Sequence, residues 1–282
     1  MPANPASDPE SRPPMRFPPR PETLLQDTAH LGILHTLLAA ELARAATLPP
    51  PAPFRAARLQ KAIGPFEAAL RASHCPVIAE FKRASPSLGP FARDADPRER
   101  LQAYAKGGAA AFSILAEPAF FQGRAEDFQA AAGLGRPVLY KGFVCTLAHL
   151  DEAVARSAQA VLLIARLLGP SLPGFVAAAR LRGLEPLVEI HALDELATVR
   201  LARPRMVGWN ARDLADFSLA GGELARLRAA LPEVLLVRES GLHTPAEAEA
   251  ALAEGFDALL IGEALMRTAD PAAFLAGIRG GR

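Results

Sequence analysis

The stretch PVIAEFKRASPSLG, residues 76–89, separates the two architectures that alternating strands and helices can build. An apolar run from Pro76 ends on two charged residues in alternate positions, Glu80 and Lys82, and then passes into RASPSLG. An open dinucleotide-binding sheet would place a glycine-rich turn directly after this first strand. Here the turn is polar and basic instead. Seven further runs follow, AAFSILA, PVLYKGF, AVLLIAR, EPLVEIH, RMVGWNAR, EVLLVRES and DALLIGE. Between several of them lie helical patterns such as DPRERLQAYAKGG, LAHLDEAVARSA, LPGFVAAARLRG and TPAEAEAALAEG. Strand-helix alternation implies parallel strands joined by right-handed crossovers, and near-continuous apolar strands imply burial on both faces. Eight such strands point to a closed (β/α)8 TIM barrel, an α/β fold that commonly takes about 250 residues as one domain.

Upstream, residues 1–21 are dense in proline with little to bury, and are expected to form a disordered or loosely docked tail. From Glu22 to about Ala46 apolar residues recur at helical spacing until Pro49-Pro50-Pro51 ends them, and a second short helix is expected over Phe66–Ala72. The domain assignment is therefore a tail, 1–21, and a single barrel domain, 22–282, that includes an N-terminal helical extension.

Composition narrows the function. Half of the residues are hydrophobic and 22% are charged, as a buried core with a polar surface requires. A net charge of +1 without a Lys/Arg run lacks the footprint of a nucleic-acid binder, so any anionic partner is small and bound locally. The apolar stretch Leu31–Ala40 is too short to span a bilayer, and no signal peptide is read. Two cysteines, Cys75 and Cys145, make neither a disulfide framework nor a zinc site. A cytoplasmic protein is expected, with a monomer favoured.

Charged and polar residues recur where the apolar strands end: Glu80 and Lys82, Lys141, Glu189, Asn210 and Arg212, Glu239 and Ser240. In a barrel those ends share one rim, where active sites are built. Each residue alone is equally a solvated strand end; together, an inward set of both signs calls for mutual pairing and a charged ligand. The loops after strands 7 and 8 of such barrels often bind phosphate through backbone N–H groups. Gly241 and Gly262, each allowing close approach to the backbone, stand in those loops.

The segments IAEFKRASPSLG, SILAEPAFFQG, VLYKGF, LVEIH, GWNARDL, RESGLHTP and LIGEALM, in this order, resemble the motif series of indole-3-glycerol-phosphate synthases. The resemblance covers nearly all of Glu22 to Arg282. It implies ring closure, decarboxylation and dehydration of a phosphorylated anthranilate-ribulose adduct, without metal or organic cofactor. By motif, Lys141 is the general acid, its pKa lowered by burial and by the neighbouring cation Lys82 while carboxylates across the mouth hold it charged, and Glu189 is its acid-base partner. Glu80 orients Lys141 and hydrogen-bonds substrate hydroxyls, and Lys82 contacts an anionic end of the substrate, either phosphate or carboxylate. Asn210 and Glu239 complete the catalytic rim, with Arg212 and Ser240 on the substrate. Ser85, Gly241, Gly262 and the backbone of Glu263 match phosphate contacts. Pro86, Phe121 and Phe143 match an apolar slot for the anthranilate ring.

Three departures stand out. The usual Lys-Asp-Phe is Lys141-Gly142-Phe143, Trp209 replaces a smaller apolar residue, and Arg238 replaces a small one. Alternation points Arg238 away from the mouth, toward a surface or inter-layer ion pair. His191 is expected to be a hydrogen-bonding neighbour of Glu189, and Asp94 and Asp96 to cap the first barrel helix. The competing function is a barrel that holds a phosphorylated ligand without turnover. Lys141 and Glu189, both retained, favour catalysis; a phosphoribosylanthranilate isomerase would leave the Glu80, Lys82, Lys141 and Glu189 set unexplained.

Overall fold

The computed structural model describes residues 24–25, 32–51, 63–85, 89–210 and 222–278. The proline-rich tail, Pro86 and Arg212 lie outside them. Eight parallel strands close on themselves: β1 Val77–Phe81, β2 Ala111–Leu115, β3 Val138–Lys141, β4 Ala160–Ile164, β5 Glu185–Ile190, β6 Met206–Trp209, β7 Leu235–Arg238 and β8 Ala258–Ile261. Each pairs with its sequence neighbours, and β8 closes on β1 through Val77↔Leu259, Ile78↔Leu260 and Ala79↔Ile261. The fold is the (β/α)8 barrel, and every anticipated strand run contains one barrel strand.

Side-chain alternation divides the strands between two cores. Ile78, Leu139, Leu162, Leu187, Met206, Leu235 and Leu260 fill the barrel interior, joined by Phe66 and Leu70. Val77, Ala79, Phe112, Tyr140, Val161, Val188, Trp209 and Leu236 face the helical layer. Trp209 is accommodated there, with its indole buried. Arg238 also turns outward, to Glu254 Oε2 at 3.5 Å, as an inter-layer ion pair. Each large apolar side chain so buried contributes roughly 1.5–3 kcal/mol before entropy is counted.

The N-terminal extension is not one helix from Glu22 to Ala46. Leu24 and Leu25 are helical, but the longer helix α1, Ile33–Ala45, begins after Gly32, whose φ of 53° lies in the left-handed region. Helix α2, Pro65–Ala72, lies beneath the barrel, where Glu185 at the start of β5 accepts from Phe66 N (2.7 Å) and Glu67 N (2.9 Å). A Cβ on Gly64 would overlap the Glu185 carboxyl and displace it from this cap. Between β1 and β2 runs α3, Pro97–Lys106, capped by Asp96, whose carboxylate accepts from Arg98 N and Glu99 N. Asp94 stands two residues upstream and does not cap it. Helix α4, Ala125–Ala131, which the sequence reading passed over, follows β2, and α5, Leu147–Ala155, follows β3.

Candidate active site

Strand alternation brings the anticipated rim residues to one mouth. Glu80 follows Ile78 on the inner face of β1, and Lys82 continues that face one residue past the strand. Glu80 Oε1 lies 3.2 Å from Lys82 Nζ, and its Oε2 lies 3.3 Å from Lys141 Nζ. Lys141, ending β3, reaches across to Glu239 Oε2 at 3.3 Å. On β5, Glu189 Oε1 accepts from Asn210 Nδ2 at 3.2 Å and meets His191 Nε2 at 3.1 Å. Glu80, Glu189, Asn210 and Glu239 are all buried.

These charges set one another. Burial disfavours the Glu80 anion, but Lys141 and Lys82 outweigh it and hold the carboxyl at about 2. Burial disfavours charge on Glu189 too, and the hydrogen bond from His191 with the charge of Lys141 brings its pKa well below the usual carboxylate range. Glu239 goes the other way. Burial and the adjacent Glu189 anion push it far up, against the pull of Lys141, because two carboxylates in one buried site do not both ionise. A shared proton fits the geometry, since Glu239 Oε1 is buried with no donor facing it among the described residues. Lys141 departs from the expectation of a pKa lowered by burial and Lys82: burial does disfavour its charge, but the carboxylates across the mouth, Glu80 first, overcome this and raise it above the ordinary lysine value. Two ionised carboxylates, Glu80 and Glu189, face it besides the neutral Glu239.

Two glycines make this crowding possible. A Cβ on Gly208 of β6 would overlap the Glu239 carboxyl, and one on Gly262 would overlap that of Glu80. Gly262 also precedes the short helix Glu263–Arg267, and Gly241 takes a φ of 72° in the loop after β7. The neighbouring strands β7, β8 and β1 thus bring Gly241, Gly262 and the buried Ser85 to one side of the mouth. Glu263 turns its carboxylate to Arg267 Nε at 2.9 Å. In the loops after β2 and β3, Phe121 and Phe143 lie with ring centroids 6.1 Å apart. Ser240 stands beside Glu239, partly exposed.

Some organising residues carried no assigned role in the sequence. Glu117, buried after β2, accepts from the backbone N–H groups of Ala119 (2.7 Å), Phe120 (2.7 Å) and Phe121 (2.9 Å), which fixes the turn presenting Phe121. Its signal was a carboxylate directly before Pro118 at a strand end. Arg83 pairs bidentately with Asp127 of α4 at 2.6 and 2.7 Å, tying the chain just before Ser85 to the helical layer. A cavity of about 600 Å³ lined by Arg93, Asp94, Pro118, Gln122, Gly123 and Arg124 lies beside these loops and contains none of the lysine–carboxylate cluster. Among the described residues no three His, Cys, Asp or Glu gather into a metal-holding group, and no helix is long and apolar enough to cross a membrane. Cys75 and Cys145 are both free and buried.

Comparison with known proteins places this geometry. Residues 35–278 match the indole-3-glycerol phosphate synthase family. Indole-3-glycerol phosphate synthase 2 of Streptomyces coelicolor is 41% identical over 218 residues, 76% of this chain and 84% of that protein. The synthase of Lactiplantibacillus plantarum is 38% identical over 77% of this chain and 84% of its own length, and that of Pyrococcus abyssi 38% over 71% and 90%. Among solved structures, thiamine phosphate pyrophosphorylase from Pyrococcus furiosus superposes with a TM-score of 0.51 at 16% identity, covering 72% of this chain and 92% of its own, a likeness of fold alone.

Proposed function

The chain belongs to the indole-3-glycerol phosphate synthase family, and from that premise we propose how its own residues carry the reaction. The protein is a carboxy-lyase of tryptophan biosynthesis. It converts 1-(2-carboxyphenylamino)-1-deoxyribulose 5-phosphate to indole-3-glycerol phosphate, with loss of carbon dioxide and water. The observation that carries the residue-level reading is the Lys141 ammonium, gripped by Glu80 and Glu239 at 3.3 Å each at the barrel mouth.

The substrate phosphate binds the backbone N–H groups of Gly241, Gly262 and Glu263 with the Ser85 hydroxyl. The anthranilate ring rests in the slot of Phe121, Phe143 and Pro86. Held so, the ring carbon that bears the carboxylate faces the ribulose ketone, and positioning removes most of the entropy cost of closure. As the new C–C bond forms, the ketone oxygen takes on negative charge, and Lys141 meets it with an ammonium and a proton. An alkoxide is far more basic than any lysine amine, so a raised Lys141 pKa still permits transfer. Loss of carbon dioxide returns its bonding electrons to the ring. Lys141, reprotonated from solvent, then protonates the hydroxyl, which leaves as water, while Glu189 removes the ring-system proton and returns it to the Lys141 amine for the next turnover. Glu80 keeps the ammonium aimed and hydrogen-bonds substrate hydroxyls, Lys82 takes an anionic end of the substrate, and Arg212, Asn210 and Ser240 complete its contacts. Glu239 enters neutral, which keeps two adjacent carboxylates from repelling the substrate's own.

The test is turnover of the adduct by the purified chain, followed by indole fluorescence, with and without chelator. Product formation at equal rate in both supports the reading. Ligand binding without product at high enzyme concentration would overturn it in favour of a noncatalytic phosphate-binding barrel.

A further inference from the structure

A second buried polar cluster lies outside the barrel, where α1 packs against the outer face of β3. Arg44 in the last turn of α1 donates from Nη2 to Glu41 at 2.8 Å and from Nη1 to Glu152 of α5 at 2.8 Å. The same Nη2 reaches the Tyr140 hydroxyl at 3.3 Å, and that hydroxyl donates to Glu152 Oε2 at 2.8 Å. Glu41 meets His149 Nε2 at 3.1 Å, and Arg156 adds a contact to Glu152 at 3.1 Å. Glu41, His149 and Tyr140 are each 1% exposed. Burial and the Glu152 anion push the Tyr140 hydroxyl far above its ordinary range, so it remains a proton donor throughout. Cys145, beside His149 at 3.7 Å, is no nucleophile, since burial pushes its thiol up.

Tyr140, at the centre of this cluster, immediately precedes Lys141. Tyr140 is the last β3 residue in register with β4 (Tyr140↔Val161), whereas Lys141 is paired only toward β2 (Leu115↔Lys141). The peptide that carries the ammonium is therefore held by the ladder on one side alone. Its other restraint is the Tyr140 ring, stacked on Phe128 with centroids 5.7 Å apart and fixed at its tip by Arg44 and Glu152. Gly142 belongs to the same arrangement: a Cβ there would lie 3.1 Å from Tyr140 Cε1 and 3.4 Å from Ala116 Cβ. The bare backbone at 142 is what gives the ring its place.

We infer that Arg44 is a positioning residue for Lys141: through Tyr140 and Glu152 the N-terminal helix holds the open side of the β3 end, and Gly142 makes room for that support. The inference rests on the function proposed above. A helix that merely adds stability would leave kcat alone; a helix that aims Lys141 would not, because small misplacements of a reacting group are costly.

The experiment uses the full chain and three variants, Arg44→Met, Tyr140→Phe and the double substitution, with kcat and KM measured by indole fluorescence and melting followed in parallel. Each single change is expected to lower kcat by about tenfold with KM within about twofold, and the double change to lower it no further, since both remove one linkage. Unchanged kcat in the two single variants, whatever happens to melting, overturns the inference. So do additive losses, which would mean two independent effects. If Arg44→Met does not fold, Tyr140→Phe decides alone, because it keeps the ring and removes only the hydroxyl. Absence of turnover in the unsubstituted chain would instead be a failure of the proposed function, visible before any variant is compared.

Discussion

The two ends of the barrel both bury carboxylates, and they treat them oppositely. Under the barrel, each Glu185 oxygen takes a backbone N–H of α2, and Glu67 takes Arg71 and Arg205 at 2.8 and 2.6 Å. Donors there match acceptors. At the mouth, Glu80, Glu189 and Glu239 crowd around Lys141, two of the carboxylates share a site, and Asn210 Oδ1 and Glu239 Oε1 face no donor among the described residues. Buried charge is therefore no mark of function in itself. Unmet polar atoms gathered at one mouth are the better mark, since single ones occur in the helical layer too, at Arg83 Nε and Trp209 Nε1.

The largest expected effect comes from breaking the unfinished end. Lys141→Ala should lower kcat by about 10²-fold or more while leaving affinity for the indole product nearly intact, as measured by fluorescence titration. Lys141→Arg keeps the charge but spreads it over a longer, planar donor, so near-normal kcat in that variant would mean that a cation of any shape suffices at this position and would remove the specific role of the lysine ammonium. The finished end should respond in stability instead. Glu185→Ala strips two buried N–H groups of their acceptor and should cost about 2 kcal/mol in denaturant unfolding with kcat unchanged.

A finer contrast lies in pH. Glu80 is depressed to about 2 from 4.5 in the fold, so its ionised form contributes stability above 4.5, and this is lost as pH falls through the window between those values. Glu185 is raised above 4.5, chiefly by burial, so its contribution is full below 4.5 and is lost as pH rises. Urea unfolding between pH 2.5 and 7 should show the cost of Glu80→Gln growing with pH and that of Glu185→Gln moving the opposite way. Parallel curves would mean that the two ends do not differ as described. The smallest effect is expected from the tail. Removal of residues 1–21, too poor in apolar side chains to build a core, should leave kcat within about twofold, whereas a large loss would make the tail part of the mouth.

Much of this was legible in the sequence because barrel strands are local signals. Each apolar run announces itself, and the charge that ends it falls at the rim by alternation, which is why Glu80, Lys141, Glu189 and Glu239 could be gathered before any coordinates. Arg238 was legible for the same reason. Helix α4 was not, being seven residues long and begun by Arg124 and Asp127 rather than by a Ser or Thr cap. The Arg83–Asp127 pair joins residues 44 apart, which no periodicity encodes. Both influences on Lys141, cations and burial against carboxylates across the mouth, were legible in the sequence, but their balance was not: which side wins depends on distances, such as Glu80 at 3.3 Å, that exist only once the barrel is closed. Pro86 and Arg212, outside the described residues, keep the roles the motifs imply as proposals.

The carboxylates of Glu80, Glu239 and Glu185 each rest where a glycine on another element, Gly262, Gly208 or Gly64, has no side chain. Such pairs couple positions far apart in the chain. Alanine at 208 displaces the Glu239 carboxyl, whereas a shorter residue at 239 leaves glycine at 208 undisturbed. Shortening the acid first is therefore the milder path, and lineages that wander from this chain should tend to lose the carboxylates before the glycines, so that the glycines outlast the chemistry they were making room for.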